Sequence, residues 1–139
     1  MNYDKIQAAL ETRAATVTGI PHIVYDNVKY DPTTRVPYVQ SRFIPTNRTN
    51  KVLGIGADNK PHWQEYHGIY QLLINMPEGT GSKQTNDLVN NIVDAFDATT
   101  DLEFAGVYVT IKKAERAKGV SEAPWYKTPV NIYWYSQTK

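Results

Sequence analysis

A chain of 139 residues with 41% apolar and 21% charged side chains has the composition of one folded domain, and neither that of a disordered segment nor that of a small scaffold needing staples. Fifteen basic against fourteen acidic residues leave a net charge of +1, which excludes a global field built to attract nucleic acid or an acidic membrane. Without cysteine there are no disulfides, thiol nucleophiles or thiolate metal sites, and no apolar run approaches the ~20 residues that cross a membrane.

The first residues, Met1 to Leu10, are charged and amphipathic, so no export signal is read there. From Asp4 to about Thr16 the apolar positions Ile6, Ala9, Leu10 and Val17 recur at helical steps, and Gly19 and Pro21 end that helix. A short run from Ile23 to Tyr25 reads as a first strand, closed by a turn at Asp31-Pro32. Between Tyr38 and Ile44 the pattern alternates, with Val39 and Phe43 on one face, Gln40 and Arg42 on the other, and Pro45 as the stop. The stretch from Thr46 to Pro61 is polar, with only Val52, Leu53 and Ile55 as apolar anchors, and reads as a long loop of the kind that carries binding elements. Gly68 to Met76 sets Tyr70, Leu72, Ile74 and Met76 on one face and is the candidate central strand. A turn over residues 77–82 leads to a helix from Lys83 to Asp97, where Leu88, Ile92 and Phe96 repeat every four residues beside Val89 and Val93. Two more strands are expected, Leu102 to Lys112 and Pro129 to Ser136, both alternating. The expected fold is α+β, a mostly antiparallel sheet with two helices packed on one face, formed by residues 1–139 as a single domain.

His62, Glu65 and His67 invite a metal reading, but a zincin needs two histidines one helical turn apart. In an extended segment Glu65 and His67 share a face while His62 points away, so a structural role is expected and no metal or cofactor is assigned. Gly79-Thr80-Gly81-Ser82-Lys83 opens a helix where free amides favour anions, yet a Walker A loop has glycine directly before its lysine. Ser82 stands there instead and reads as a helix cap. No serine occupies a Gly-x-Ser-x-Gly elbow, and His22 is the remaining histidine, so no catalytic residue is assigned.

The one basic cluster is Lys112, Lys113, Arg116 and Lys118, followed by Trp125, Tyr126 and Lys127, a mixture able to track a nucleic-acid backbone. Glu115 and Glu122 dilute it, so it reads as a charged hairpin end, with Lys112, Lys113 and Arg116 at most lining a mildly positive channel. Ten tyrosines and three tryptophans exceed what one core face takes up, and outward residues such as Tyr133 and Tyr135 are the kind that concentrate at protein interfaces.

Several segments together resemble the tail terminator, or tail completion, proteins of lambda-type long-tailed phages. They are Tyr25-Asp26-Asn27-Val28, Val36-Pro37-Tyr38-Val39 leading to Arg42 and Ile44-Pro45, and Gly68 to Ile74 followed by Pro77-Glu78-Gly79 and the helix ending at Phe96-Asp97. The likeness runs over roughly residues 1 to 112. It implies a cofactor-free structural subunit that forms a ring, usually a hexamer, on the last ring of the tail tube. That ring ends tube growth and offers a surface to the head–tail connector, at the head-proximal end of a virion assembled in the host bacterial cytoplasm, with DNA only as passing cargo. On that view the Thr46 to Tyr66 stretch and Gln40, Arg42, Trp63, Tyr66, Tyr133 and Tyr135 are expected at subunit or tube interfaces. The alternatives are a head–tail joining (neck) protein and a small-ligand enzyme built around His62, Glu65 and His67.

Overall fold

The computed structural model describes residues 3–31, 36–55, 61–97 and 101–138, without the side chains of 49–55, 61–63 and 138. Helix α1 spans Tyr3–Ala15, and its stripe of Ile6, Ala9, Leu10 and Ala14 is buried, as the helical spacing requires. Helix α2 spans Lys83–Ala95, burying Thr85, Leu88, Val89 and Ile92. Phe96, fully buried, caps it through its own N–H, which donates to the Ile92 carbonyl at 3.0 Å. The strands are β1 (His22–Val24), β2 (Tyr38–Ile55), β3 (Pro61–Pro77), β4 (Asp101–Phe104), β5 (Val107–Arg116), β6 (Val120–Glu122) and β7 (Trp125–Thr138).

These strands form one sheet in the order β1-β2-β3-β7-β5-β4, with β6 paired to β7. Every pairing is antiparallel except β1 with β2. Fold class and helix placement follow the expectation, and β3 is central, between β2 and β7. Both helices lie on the face that carries Val39, Tyr70, Leu72, Ile74, Val109, Ile111, Val130, Ile132 and Trp134, and together these residues make the main core. Each fully buried Leu, Ile or Val there is worth about 1.5–3 kcal/mol over its exposed state.

Several expectations fail, for different physical reasons. Residues 46–61 are not a loop: β2 runs through them to Ile55, and β3 begins at Pro61, so the two strands make a long hairpin whose residues 56–60 lie outside the described part. Pro45 does not stop β2, because the register shifts between Pro45 and Asn47, and at such an irregularity the ladder asks no N–H of proline. The segment from Leu102 to Lys112 is two strands, broken at Ala105-Gly106, whose φ of 51° and 86° make the tight turn of a hairpin. In addition, β7 begins at Trp125 instead of Pro129, and it pairs with the unpredicted β6 across the Ala123-Pro124 connection, which holds a cis peptide bond.

Glycine matters at one close approach. A Cβ on Gly68 would lie 2.5 Å from the Trp134 ring and 2.7 Å from the Ile44 carbonyl oxygen. The missing side chain leaves room for Trp134 to lie over β3, where it stacks on Phe43 at 5.4 Å with the rings 8° from parallel.

Candidate assembly surface

Strand alternation divides the sheet, and the face opposite the helices carries the polar half of each strand. Across it run Gln40, Arg42 and Ile44 from β2, Glu65, His67, Ile69 and Gln71 from β3, Asn131, Tyr133 and Tyr135 from β7, and Lys112, Lys113 and Glu115 from β5. None of the described helices covers it.

The lysines reach this face through a local irregularity. Ile111 pairs with Trp134 and Lys113 with Tyr133, leaving Lys112 as the extra residue of a bulge. The bulge lets consecutive lysines serve the same side: Lys112 Nζ lies 5.6 Å from the centre of the Tyr135 ring, and Lys113 Nζ lies 4.7 Å from that of Tyr133. Lys113 also sits 3.7 Å from the Glu115 carboxylate, which accepts a 3.2 Å hydrogen bond from the Tyr133 hydroxyl. Lys112 donates to His67 Nδ1 at 2.9 Å, so the other ring nitrogen, Nε2, carries the hydrogen and donates to Glu65. Glu65 also accepts from Gln137 at 2.8 Å, and Gln71 donates to Asn131 at 3.0 Å.

The charges of Lys112, Lys113, Glu115 and Glu65 are therefore held by partners on this face. Both nitrogens of His67 are engaged, and its ring stacks at 6.1 Å on Tyr135, an arrangement that orders a surface and leaves the histidine no open nitrogen for an ion. Glu65 and His67 do share a face, as extended geometry requires, while the His62 side chain lies outside the described part. No cluster of three potential metal ligands occurs among the described residues.

The residues singled out from sequence separate in space. Gln40, Arg42, Tyr133 and Tyr135 lie on the open face, Gln40 and the tyrosines half-buried and Arg42 exposed. Tyr66 faces the other way: it is 2% exposed, packs edge-on against Tyr3 at 5.1 Å and belongs to the core instead of the surface. Trp63 pairs with Lys51 in the hairpin, and its side chain lies outside the described part. Arg116 parts company with Lys112 and Lys113, because beyond the bulge it falls on the helix side, where its guanidinium donates to Asn86 of α2.

Ser82 occupies the N-cap of α2, yet its hydroxyl makes no capping hydrogen bond, so the expectation of a serine side-chain cap fails; only its carbonyl is used, by Asn86 N–H at 2.9 Å. A cleft of about 440 Å³ opens there, lined by Met76, the 77–82 turn, Thr85, Arg116, Ser121 and Tyr126, and does not include Glu65 or His67. Its charged groups, Arg116 and Glu78, are each already bonded, to Asn86 and to Ser121. In the core, burial pushes the Tyr70 hydroxyl well above the usual phenol range, against the lowering effect of its 2.6 Å hydrogen bond with Ser41. Burial, then the neighbouring Tyr30 and Glu122, also raises Tyr38, which packs edge-on against Trp125 at 5.1 Å.

Compared with known proteins, the chain is matched over residues 5–134 by a family model described as phage tail terminator protein. No curated protein matches it in sequence. Among solved structures, one that is 19% identical superposes with a TM-score of 0.74 over 100% of this chain and 98% of its own, which establishes a shared fold.

Proposed function

Since the chain belongs to the phage tail terminator protein family, and is thus a structural component of a phage tail, we propose that it acts as one tail-terminator-like domain, closes into a ring, a hexamer by preference, and caps the tail tube. The family match over residues 5–134 carries this reading. It gains support from the open sheet face, where tyrosines and paired charges are ordered without gathering into a reactive site.

In this role the ring stops polymerisation of the tube protein, stays at the head-proximal end of the tail, and presents its far side to the head–tail connector. No catalysis and no cofactor take part. Gln40, Arg42, Tyr133 and Tyr135 serve subunit or tube contacts, and Lys112 and Lys113, the first bonded to His67 and the second paired with Glu115, give at most a mildly positive lining to a lumen through which DNA passes as cargo. A closed ring requires two different patches per subunit, meeting head to tail.

Silencing this reading frame in the phage that encodes it tests the proposal. The expected result is overlong tails without heads, restored to uniform length by supplying the chain in trans. Tails of normal length that merely fail to join heads would transfer the chain to the neck.

A further inference from the structure

The two margins of the sheet differ in a way the ring reading leaves unassigned. At the β1–β2 margin the Asp26 carboxylate accepts a 2.7 Å hydrogen bond from Phe43 N–H, which holds the turn after β1 against β2. Val28 in that turn is 58% exposed and Ile44 on β2 is 40% exposed, with the exposed cations Lys29 and Arg42 beside them. At the opposite margin, the β4–β5 hairpin exposes Phe104 by 41% and Tyr108 by 62%, and its neighbouring charges are the exposed acids Asp101 and Glu103. On the open face the first margin carries Arg42 beside Ile44, with the Asp26 carboxylate of the adjoining turn already engaged by Phe43 N–H, while the second carries Asp101 and Glu103 beside Tyr108, and the two terminate the same sheet.

Strand addition is not how the margins would meet. The Phe43 N–H is already taken by Asp26, and Pro45 two residues on has no N–H, so this part of the β2 edge is blunted against a backbone partner. Side chains are left to make the contact.

We propose that the β4–β5 margin of one copy docks on the β1–β2 margin of the next, with Tyr108 against Ile44, Glu103 and Asp101, which share the face of Tyr108, facing Arg42, and Phe104 on the other side of the hairpin against Val28. The occupant of each margin is a second copy of this chain, chosen because apolar area is matched by apolar area and Arg42 by the acids Glu103 and Asp101. Two unlike patches on opposite margins make a heterologous contact, the type that propagates around a ring. The proposal rests on the ring reading and specifies its contact.

Charge reversal tests it with exposed side chains. Arg42→Glu alone sets acid against acid at every contact, and Glu103→Arg alone sets base against base. Each variant, folded by circular dichroism, is expected to lose assembly on purified tail tubes by about tenfold or more, as like charges in a contact require. Mixed in equal amounts the two are expected to regain it, since alternating copies restore opposite charges at both kinds of junction. Because Glu103 also accepts a 2.9 Å bond from Gly106 N–H in its turn, Asp101→Arg repeats the experiment without touching that bond. Wild-type assembly by all single variants, or a mixture that stays unassembled, would overturn the proposed contact while leaving the ring intact. Failure of the unaltered chain to assemble on tubes would instead remove the reading beneath it.

Discussion

Tyr70 and Gly68 are neighbours on β3, two residues apart, and both report how tightly the sheet packs beneath its helices. Tyr70 is fully buried with its hydroxyl bonded to Ser41, and burial raises its pKa above the value of 10.0 that an exposed phenol would have. A raised folded-state pKa means the native protein holds this proton more tightly than the unfolded chain does. The stabilisation is therefore complete below the unfolded value and lost as pH climbs from there through the folded one. Denaturation measured across the alkaline range should show stability falling above pH 10.0. Tyr70→Phe should make that fall shallower, while costing about 1–2 kcal/mol at neutral pH because Ser41 loses its buried partner. At Gly68 a methyl group would enter the Trp134 ring and the Ile44 carbonyl. Gly68→Ala should cost about 1–3 kcal/mol in chemical denaturation, the usual penalty for overpacking, and a midpoint unchanged from wild type would mean that Trp134 moves aside freely.

Elements differed in how far their residues announced them. Both helices and β3 were legible because each buries a stripe whose period belongs to one kind of structure: Ile6, Ala9 and Leu10 in α1, Leu88 and Ile92 in α2, Tyr70, Leu72 and Ile74 in β3. The outer halves of β2 and β3 were not legible. Asn47, Arg48 and Thr49 pair with His67, Tyr66 and Glu65 through backbone bonds, and Asn47 and Arg48 are exposed, so no apolar alternation is demanded of that stretch of β2. The β4–β5 turn was hidden for another reason, since Ala105 is not a residue that signals positive φ. That choice carries strain, and Ala105→Asn, which relieves it with a side chain suited to the left-handed region, should stabilise the fold by about 1 kcal/mol in thermal denaturation. Between the helices, Arg13 Nε donates at 2.9 Å to the Ala95 carbonyl at the end of α2, where the helix dipole is negative. Arg13→Ala should cost about 1 kcal/mol, and an unchanged melting temperature would show that the charge at that end is immaterial.

Over the whole molecule, the two layers divide the labour. Apolar halves of the strands are consumed by the helices, and what remains is an open sheet face where Lys113 pairs with Glu115 and Lys112 with His67, ending in margins that expose Val28 and Ile44 on one side and Phe104 and Tyr108 on the other. Sequence pattern located Gln40, Arg42, Tyr133 and Tyr135 on that face, because alternation alone decides it. The separation of Arg116 from Lys112 escaped it, because it depends on the register shift between Ile111 and Lys113, which no local pattern records; Tyr66, by contrast, turns inward through the same alternation that buries Tyr70 on β3. A subunit of this design has little to do alone. We propose that neighbouring copies cover its margins and that the ring they form closes the tube. Electron microscopy of tail tubes growing from purified tube protein tests this most directly. With the chain added, tubes are predicted to stop elongating and to carry a ring of extra density at one end, whereas tubes that keep growing with bare ends would contradict the account.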